Sequence, residues 1–326
     1  MLRLKQTSLL TLHDLSNQEM LQLIELACEL KEKKKNQGGS QLLRNKNIAM
    51  IFEKSSTRTR CATMVAAADE GASVEYLGKD DIHLGKKESV ADTARVLGRM
   101  FDGIMFRGFQ HKRVQQLTEW AGIPVWNGLT DDAHPTQILA DLMTVKENLG
   151  ELKGCKVVYL GDGRNNVCNS LMLGCAKTGM HFVNCCPPEL SPNEKYVETS
   201  RQVANETDGE IEIVHQPEEA VEGANVIYTD VWASMGEEKK FEERRHLLQD
   251  YQVNLPLVRK SGNFENGRLI FLHCLPAFHN KDTEYTRQIG ALEVTNEVFE
   301  SEVSKVFDEA ENRMHTIKAL MLSTLL

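Results

Sequence analysis

Apolar positions along this chain fall into two rhythms. Met20, Leu23, Ile24, Ala27 and Leu30 recur three and four residues apart, the stripe of a helix with one buried face. Ser16 followed by Glu19 is a capping-box start, and the lysines from Lys31 to Lys35 with Gly38-Gly39 behind them make the stop. The other rhythm is the short unbroken apolar run. Ile48 to Phe52 predicts a buried strand, and the residues after it predict a helix to Gly71, a strand over Ser73 to Leu77, a polar loop from Gly78 to Lys87 and a helix through Met100. A second series starts at Lys156 with Val-Val-Tyr-Leu, then a helix, then runs at His181 to Cys185, Ile211 to Val214, Val226 to Thr229 and Leu269 to His273. Strands apolar on both faces and alternating with helices predict α/β domains with parallel sheets covered by helices. Gly150-Glu151-Leu152-Lys153-Gly154 restarts the pattern, which places a hinge in the helix beginning after His134-Pro135 and divides the chain into 1–148 and 149–308. The last helix, about 309–326, has Met314, Ile317, Leu320, Met321 and Leu325 in a stripe that needs a partner, for which the first domain is a candidate. The charged run from Glu237 to Arg245 reads as solvated.

Composition narrows the chemistry. With 326 residues, 41% apolar and 26% charged, the chain is long enough for two domains with their own cores. A formal net charge of -9 argues against nucleic acid or an anionic membrane surface as partner. Eight cysteines are scattered without a CxxC, in a chain too large to need disulfide staples, so reduced thiols and a cytoplasmic location are expected. No secretory or transit leader and no apolar run near the length of a membrane span is evident.

Ser55-Ser56-Thr57-Arg58-Thr59-Arg60 lies between the strand at Ile48 and a helix. A helix N-terminus carries unpaired N–H groups and the positive dipole end, and here hydroxyls and guanidiniums are added to it, which points to phosphate. Neighbouring helical residues cannot face one way, so Arg58 is taken as the ligand-facing arginine and Arg60 as the bystander. Phe106-Arg107-Gly108 puts an arginine at a strand end, where open α/β sheets bind ligands; a surface ion pair is the plain alternative. His134-Pro135-Thr136-Gln137 opens a helix with proline where its missing N–H does no harm. His134 and Gln137 can donate to a carbonyl or phosphate oxygen, although a simple cap fits the same residues.

Gly161-Asp162-Gly163-Arg164-Asn165-Asn166 follows a strand as a dinucleotide loop would, but Asn166 stands where the third glycine is required. That excludes the dinucleotide reading and leaves Asn166 as an amide for a polar substrate. Asp230, ending the strand at Val226, suits an ammonium or caps the next helix, and the loop through Ser234, Met235 and Gly236 follows it. Cys274, in His273-Cys274-Leu275-Pro276, is a nucleophile or a small buried apolar residue. Neither a metal-ligand spacing nor a Ser-His-Asp pattern stands out.

Taken together, Ser56 to Arg60, Phe106-Arg107-Gly108, His134 to Gln137, Asp230 to Gly236 and His273 to Pro276 resemble the ornithine carbamoyltransferases, end to end. The first three motifs are shared with the aspartate branch of that superfamily; Ser234-Met235-Gly236 and Cys274-Leu275-Pro276 resemble the ornithine branch. The resemblance implies two α/β domains, 1–148 for carbamoyl phosphate and 149–308 for L-ornithine, joined by two interdomain helices, the second near the C-terminus. It implies that Ser56, Thr57, Arg58 and Thr59 hold phosphate, that Arg107 reaches the carbamoyl oxygen, and that His134, Gln137, Cys274, Leu275 and Arg313 complete the carbamoyl site. Arg58, Arg107, His134 and Cys274 are the implied catalytic groups. Asn166, Asp230, Ser234 and Met235 are implied for ornithine, and His83, where many members have Gln, for a contact across a subunit interface. It further implies a trimer or a multiple of trimers, no metal or organic cofactor, transfer of the carbamoyl group to the δ-amino group of L-ornithine, and a cis Leu275-Pro276 bond. A carbamoyltransferase for putrescine or a modified ornithine, or a binding protein on the same fold, is the alternative.

Overall fold

The structure, a computed structural model, describes residues 2–4, 8–232 and 241–326. The chain divides into two compact units, Met1–Met143 with Glu311–Leu326, and Thr144–Ala310. In the first, β1 (Asn47–Phe52), β2 (Ser73–Gly78), β3 (Gly103–Arg107) and β4 (Val125–Leu129) form a parallel sheet in the order β2-β1-β3-β4. Helices α1 (Asn17–Gln37), α2 (Thr57–Asp69), α3 (Val90–Leu97) and α4 (His111–Ala121) belong to it, and α5 (Pro135–Leu149) leads the chain onward. β1 is central, so Ile48, Ala49, Met50 and Ile51 are all buried, while edge strand β2 is exposed or half-buried from Ser73 to Leu77 and buried only at Gly78.

α1 forms where its pattern puts it. Ser16 Oγ accepts the Glu19 N–H at 3.2 Å, and a Glu19 carboxylate oxygen accepts the Ser16 N–H at 2.9 Å. Met20, Leu23, Ile24, Ala27 and Leu30 are the buried face. At about 1.5–3 kcal/mol for each large apolar side chain, this burial outweighs the cap, worth about 1 kcal/mol. β4 has a weaker sequence pattern, because Asn127 and Gly128 interrupt Val125-Trp126. The backbone there approaches its neighbours closely: a β-carbon at Gly128 would lie 3.1 Å from Met105 Sδ, Phe106 O and Thr59 Cγ2, which would have to give way by a few tenths of an ångström.

The last helix, α13 (Val306–Leu325), returns to the first unit from Glu311 onward. Leu4 N–H donates to Ser323 O at 3.1 Å and Trp126 Nε1 to Thr324 Oγ1 at 3.2 Å. Ile317, Leu320 and Met321 are buried as their spacing requires, but so are Arg313, His315, Thr316 and Lys318. The polar face is buried because it has partners: Lys318 Nζ donates to Asp69 Oδ2 at 2.5 Å, and Arg313 enters the site described below.

The second unit is a five-stranded parallel sheet of β5 (Lys156–Leu160), β6 (His181–Cys185), β7 (Glu210–Val214), β8 (Val226–Thr229) and β9 (Ile270–His273), in the order β7-β6-β5-β8-β9. It carries α6 (Asn166–Lys177), α7 (Glu194–Thr207), α8 (Pro217–Ala220), α9 (Phe241–Leu248), α10 (Leu255–Lys260), α11 (Thr286–Ile289) and α12 (Asn296–Phe299). Val158, Leu160, Val183, Ile227 and Phe271 from the strands pack with Val221, Leu248 and Val258 in one core.

Strand order decides where ligands can bind. In the first sheet the chain runs outward from β1 to β2 and then resumes at β3 on the other side of β1; in the second it runs β5, β6, β7 and resumes at β8 beside β5. Each reversal opens a crevice at the carboxyl ends of adjacent strands. The crevice of the first sheet is flanked by the 53–59 turn and Arg107; that of the second, by the 161–166 turn and Asp230.

Candidate active site

Ser56 is the N-cap of α2, its Oγ accepting the Thr59 N–H at 3.1 Å. The cap turns the first helical turn inward and buries Thr59 completely. Thr59 Oγ1 is where the first unit converges: Arg313 Nη2 donates to it at 2.7 Å and Arg107 Nη1 at 3.4 Å. Arg313 Nη1 also donates to Gln137 Oε1 at 2.8 Å, and Gln137 Nε2 donates to Asp141 Oδ1 at 2.8 Å. Asp141, fully buried one turn along α5, thereby orients the Gln137 amide with its oxygen toward Arg313.

His134 is buried just before α5, and its imidazole is held well below the ordinary 6.5, first by burial and then by the positive charges of Arg313, Arg107 and Arg58. Arg58 therefore shares this electrostatic environment, although it is only half-buried. Arg60 is exposed, its guanidinium carbon 3.8 Å from the Tyr76 ring centroid. Ser56 and Thr57 stand at the head of α2. His83 is exposed in the loop between β2 and α3 and joins none of these hydrogen bonds. Three guanidiniums and an imidazole that resists protonation thus gather near the head of α2, an arrangement whose charge and N–H donors suit an anion.

In the second unit Asn165 is the N-cap of α6. Its Oδ1 accepts the Val167 N–H at 2.7 Å, while its Nδ2 donates to Asp230 Oδ2 at 2.9 Å. Asp230 Oδ1 accepts the Val231 N–H at 2.8 Å and the Cys274 Sγ–H at 3.1 Å. Burial raises the Asp230 carboxyl above its usual 3.8, with His273 and these three hydrogen bonds pulling it back. Asn166 is half-buried at the first position of α6. Asp162, in the same turn, takes an ion pair from Arg244 Nη1 at 2.8 Å. Leu275-Pro276 is cis, with Leu275 at φ 58. Ser234 and Met235 lie outside the described residues.

Asp230, His273 and Cys274 bring one potential metal-ligand atom each within 4.8 Å of one another. The ring nitrogens of His273 already meet the Leu275 N–H and Glu293, and both Asp230 oxygens accept hydrogen bonds, so a cation there would have to break that network. His181, Glu210 and Glu212 form a second such group on the partly exposed edge of the sheet, where ion pairs of this kind contribute little.

Residues 7–147 match the family model described as the carbamoyl-P binding domain of aspartate/ornithine carbamoyltransferase, and residues 153–324 match its Asp/Orn binding domain. The chain belongs to the aspartate/ornithine carbamoyltransferase family. It is a carbamoyltransferase. Among curated relatives, the catabolic ornithine carbamoyltransferase of Bacillus licheniformis is 57% identical over 99% of this chain and 98% of its own length. Among solved structures, ornithine carbamoyltransferase from Pyrococcus furiosus is 43% identical with a TM-score of 0.90, covering 98% of this chain and 96% of that one. The anabolic ornithine carbamoyltransferase from Campylobacter jejuni is 34% identical with a TM-score of 0.87, covering 97% of each. The two parallel-sheet units flanked by helices are the fold of this family.

Three polar residues that hold these side chains in place, Asn165, Asp141 and Glu293, were not singled out from the sequence. Asn165 was readable in principle, since an Asx residue at a strand-to-helix turn is a cap signal. Asp141 and Glu293 were not: a buried carboxylate looks like any surface one until its partners are known.

Proposed function

We propose that the chain is a catabolic ornithine carbamoyltransferase, exchanging the carbamoyl group between carbamoyl phosphate with L-ornithine and L-citrulline with phosphate, as in arginine breakdown through the arginine deiminase route. The observation that carries it is the convergence of Arg107 and Arg313 on Thr59 Oγ1 at the head of α2. A hydroxyl that accepts two guanidinium N–H groups has its own O–H left to donate to an anion. Ser56, Thr57, Arg58 and Thr59 hold the phosphate, and Arg107, His134, Gln137 and Arg313 hold the carbamoyl end. Being neutral, His134 polarises the carbonyl by a hydrogen bond without adding charge.

In the second unit Asn166 and Asp230, with Ser234 and Met235, hold L-ornithine, while Cys274 and Leu275 touch the reacting groups. In the synthetic direction the neutral δ-amine attacks the carbamoyl carbon, a C–N bond forms, the C–O bond to phosphate breaks and the amine loses a proton. The oxyanion that builds up is stabilised by donors already in place, the kind of effect worth about 3–4 kcal/mol per donor. Citrulline phosphorolysis runs the same steps backward. The catabolic direction is supported by the 57% identity to the catabolic ornithine carbamoyltransferase of Bacillus licheniformis. A homotrimer or multiple of trimers goes with this reading, His83 of one protomer serving a neighbour's site; the exposure of Met64, Val65, Val96 and Met100 supports it, and light scattering tests it.

Steady-state assays in both directions test the function. Expected are citrulline from carbamoyl phosphate and L-ornithine, with L-aspartate and putrescine failing to replace ornithine, and ornithine released from citrulline at physiological phosphate as carbamoyl phosphate is drained. Turnover with putrescine but not ornithine would overturn the substrate, and an inability to phosphorolyse citrulline would overturn the direction. Because the nucleophile is a neutral amine, the rate rises with pH below the amine pKa.

A further inference from the structure

The turn that follows β9 is held by a residue far along the chain. His273 is fully buried, and its ring nitrogens meet different partners: Nδ1 lies 2.9 Å from the Leu275 N, and Nε2 lies 3.2 Å from Glu293 Oε1. A backbone N–H can only donate, so Nδ1 accepts, which assigns the ring proton to Nε2 and directs it at Glu293. Glu293 is fully buried as well, and the same Oε1 accepts the Phe278 N–H at 2.6 Å. One carboxylate oxygen thus grips the turn twice, at Leu275 through the imidazole and at Phe278 directly. Between those grips lie the left-handed Leu275 and the cis bond to Pro276, and just before them lies Cys274, whose thiol donates to Asp230. Glu309 Oε2 anchors the strand end, accepting the His273 N–H at 2.9 Å.

We propose that Glu293 is a positioning residue for carbamoyl transfer, selecting the tautomer of His273 and fixing the 273–278 turn so that Cys274 and Leu275 meet the substrates. This rests on the assignment of Cys274 and Leu275 to substrate contact. Glu293 touches neither substrate; it acts through the turn.

Three variants separate positioning from stability. Glu293→Gln keeps an oxygen for both N–H donors but puts an amide NH2 where Oε2 has no hydrogen-bond partner among the described residues, so it loses stability without moving the turn. Glu293→Ala removes the acceptor, and Glu293→Asp keeps the carboxylate while drawing it back by one methylene. The expected result is a lowered Tm but kcat within about threefold of wild type for Gln, and kcat lowered about 30-fold or more for Ala and Asp, since a displacement near 1 Å can cost a hundredfold. The KM for carbamoyl phosphate stays within about twofold throughout, and iodoacetamide labels Cys274 faster in Ala and Asp than in Gln, read by peptide mass spectrometry. Should Ala fail to fold, Asp carries the test. Wild-type kcat and wild-type Cys274 labelling in folded Asp or Ala protein would overturn the proposal, as would Gln losing turnover as severely as Ala. A wild-type enzyme inactive with ornithine would instead overturn the functional reading, and the two failures are distinguished by that control.

Discussion

Arg58 and Arg60 are two positions apart in one turn of helix, yet their surroundings differ completely. Arg58 contributes to the positive field that suppresses protonation of His134, while Arg60 spends its charge on the Tyr76 ring. Arg58→Gly should lower kcat by about 10²–10³, the cost of removing a transition-state donor, while a glycine near the helix start costs only about 0.5–1 kcal/mol of stability. Matched kinetics and thermal melts check this, and wild-type kcat would contradict it. Asn165→Ala makes the opposite kind of change in the second unit. It removes a cap worth about 1 kcal/mol and a donor to Asp230. With that donor gone the Asp230 carboxyl rises further, so the KM for ornithine should increase most at the acidic end of the pH profile.

At the scale of elements, α13 is the clearest case of a helix whose burial depends on charges elsewhere. Lys318, on its buried face, and Lys34, on α1, both donate to Asp69 at the end of α2. Burial by itself would raise the Asp69 carboxyl, but the hydrogen bonds from Lys318 and Lys34 outweigh it and hold it below 3.8. Its contribution is therefore present above that value and lost as pH falls through the lowered one. Asp69→Asn leaves buried Lys318 with only the longer Glu70 Oε1 contact at 4.0 Å, at a cost of up to roughly 3 kcal/mol, visible as a lower midpoint in urea; an unchanged midpoint would show the Asp69 pair to be idle. The elements themselves were unequally legible. α1 and β1 stood out because their apolar patterns are dense and the α1 cap is local, whereas the apolar run of β4 ends at Asn127, which bonds Leu10 and Ala133, and Gly128, which lies close to Thr59. The partners of the polar face of α13 were not legible locally, because nothing near it in sequence names Asp69, Thr59 or Gln137.

For the molecule as a whole, histidines dominate the pH response near neutrality. Burial holds His134, His111 and His315 below 6.5; the neighbouring arginines push His134 the same way, while Asp132 and Asp14 oppose the shift at His111, and Glu311 opposes it at His315. A group with a depressed folded pKa binds its proton more readily when unfolded. The stability of all three is complete above about 6.5 and declines as pH falls below it. Asp230 has the opposite sign, its raised carboxyl favouring the fold as pH falls toward its folded value. With three groups against one, Tm should drop steadily between pH 7 and pH 5, as about that window spans the imidazole range. A flat Tm there would mean that the buried histidines are hydrated in solution.

Local sequence was sufficient to determine the alternation of strands and helices, the α1 cap and the family that the motifs resemble. These are properties of short spacings, where side-chain periodicity and capping act within a few residues. Tertiary structure alone decided which polar groups meet. Thr59 is joined by Arg313 across 254 residues of chain, and His273 by Glu293 across 20. Neither pairing follows from periodicity, because it depends on strand order and on where the chain returns after each crossover. Burial then converts those meetings into function, removing water from competition for the same hydrogen bonds and leaving each donor aimed in one direction.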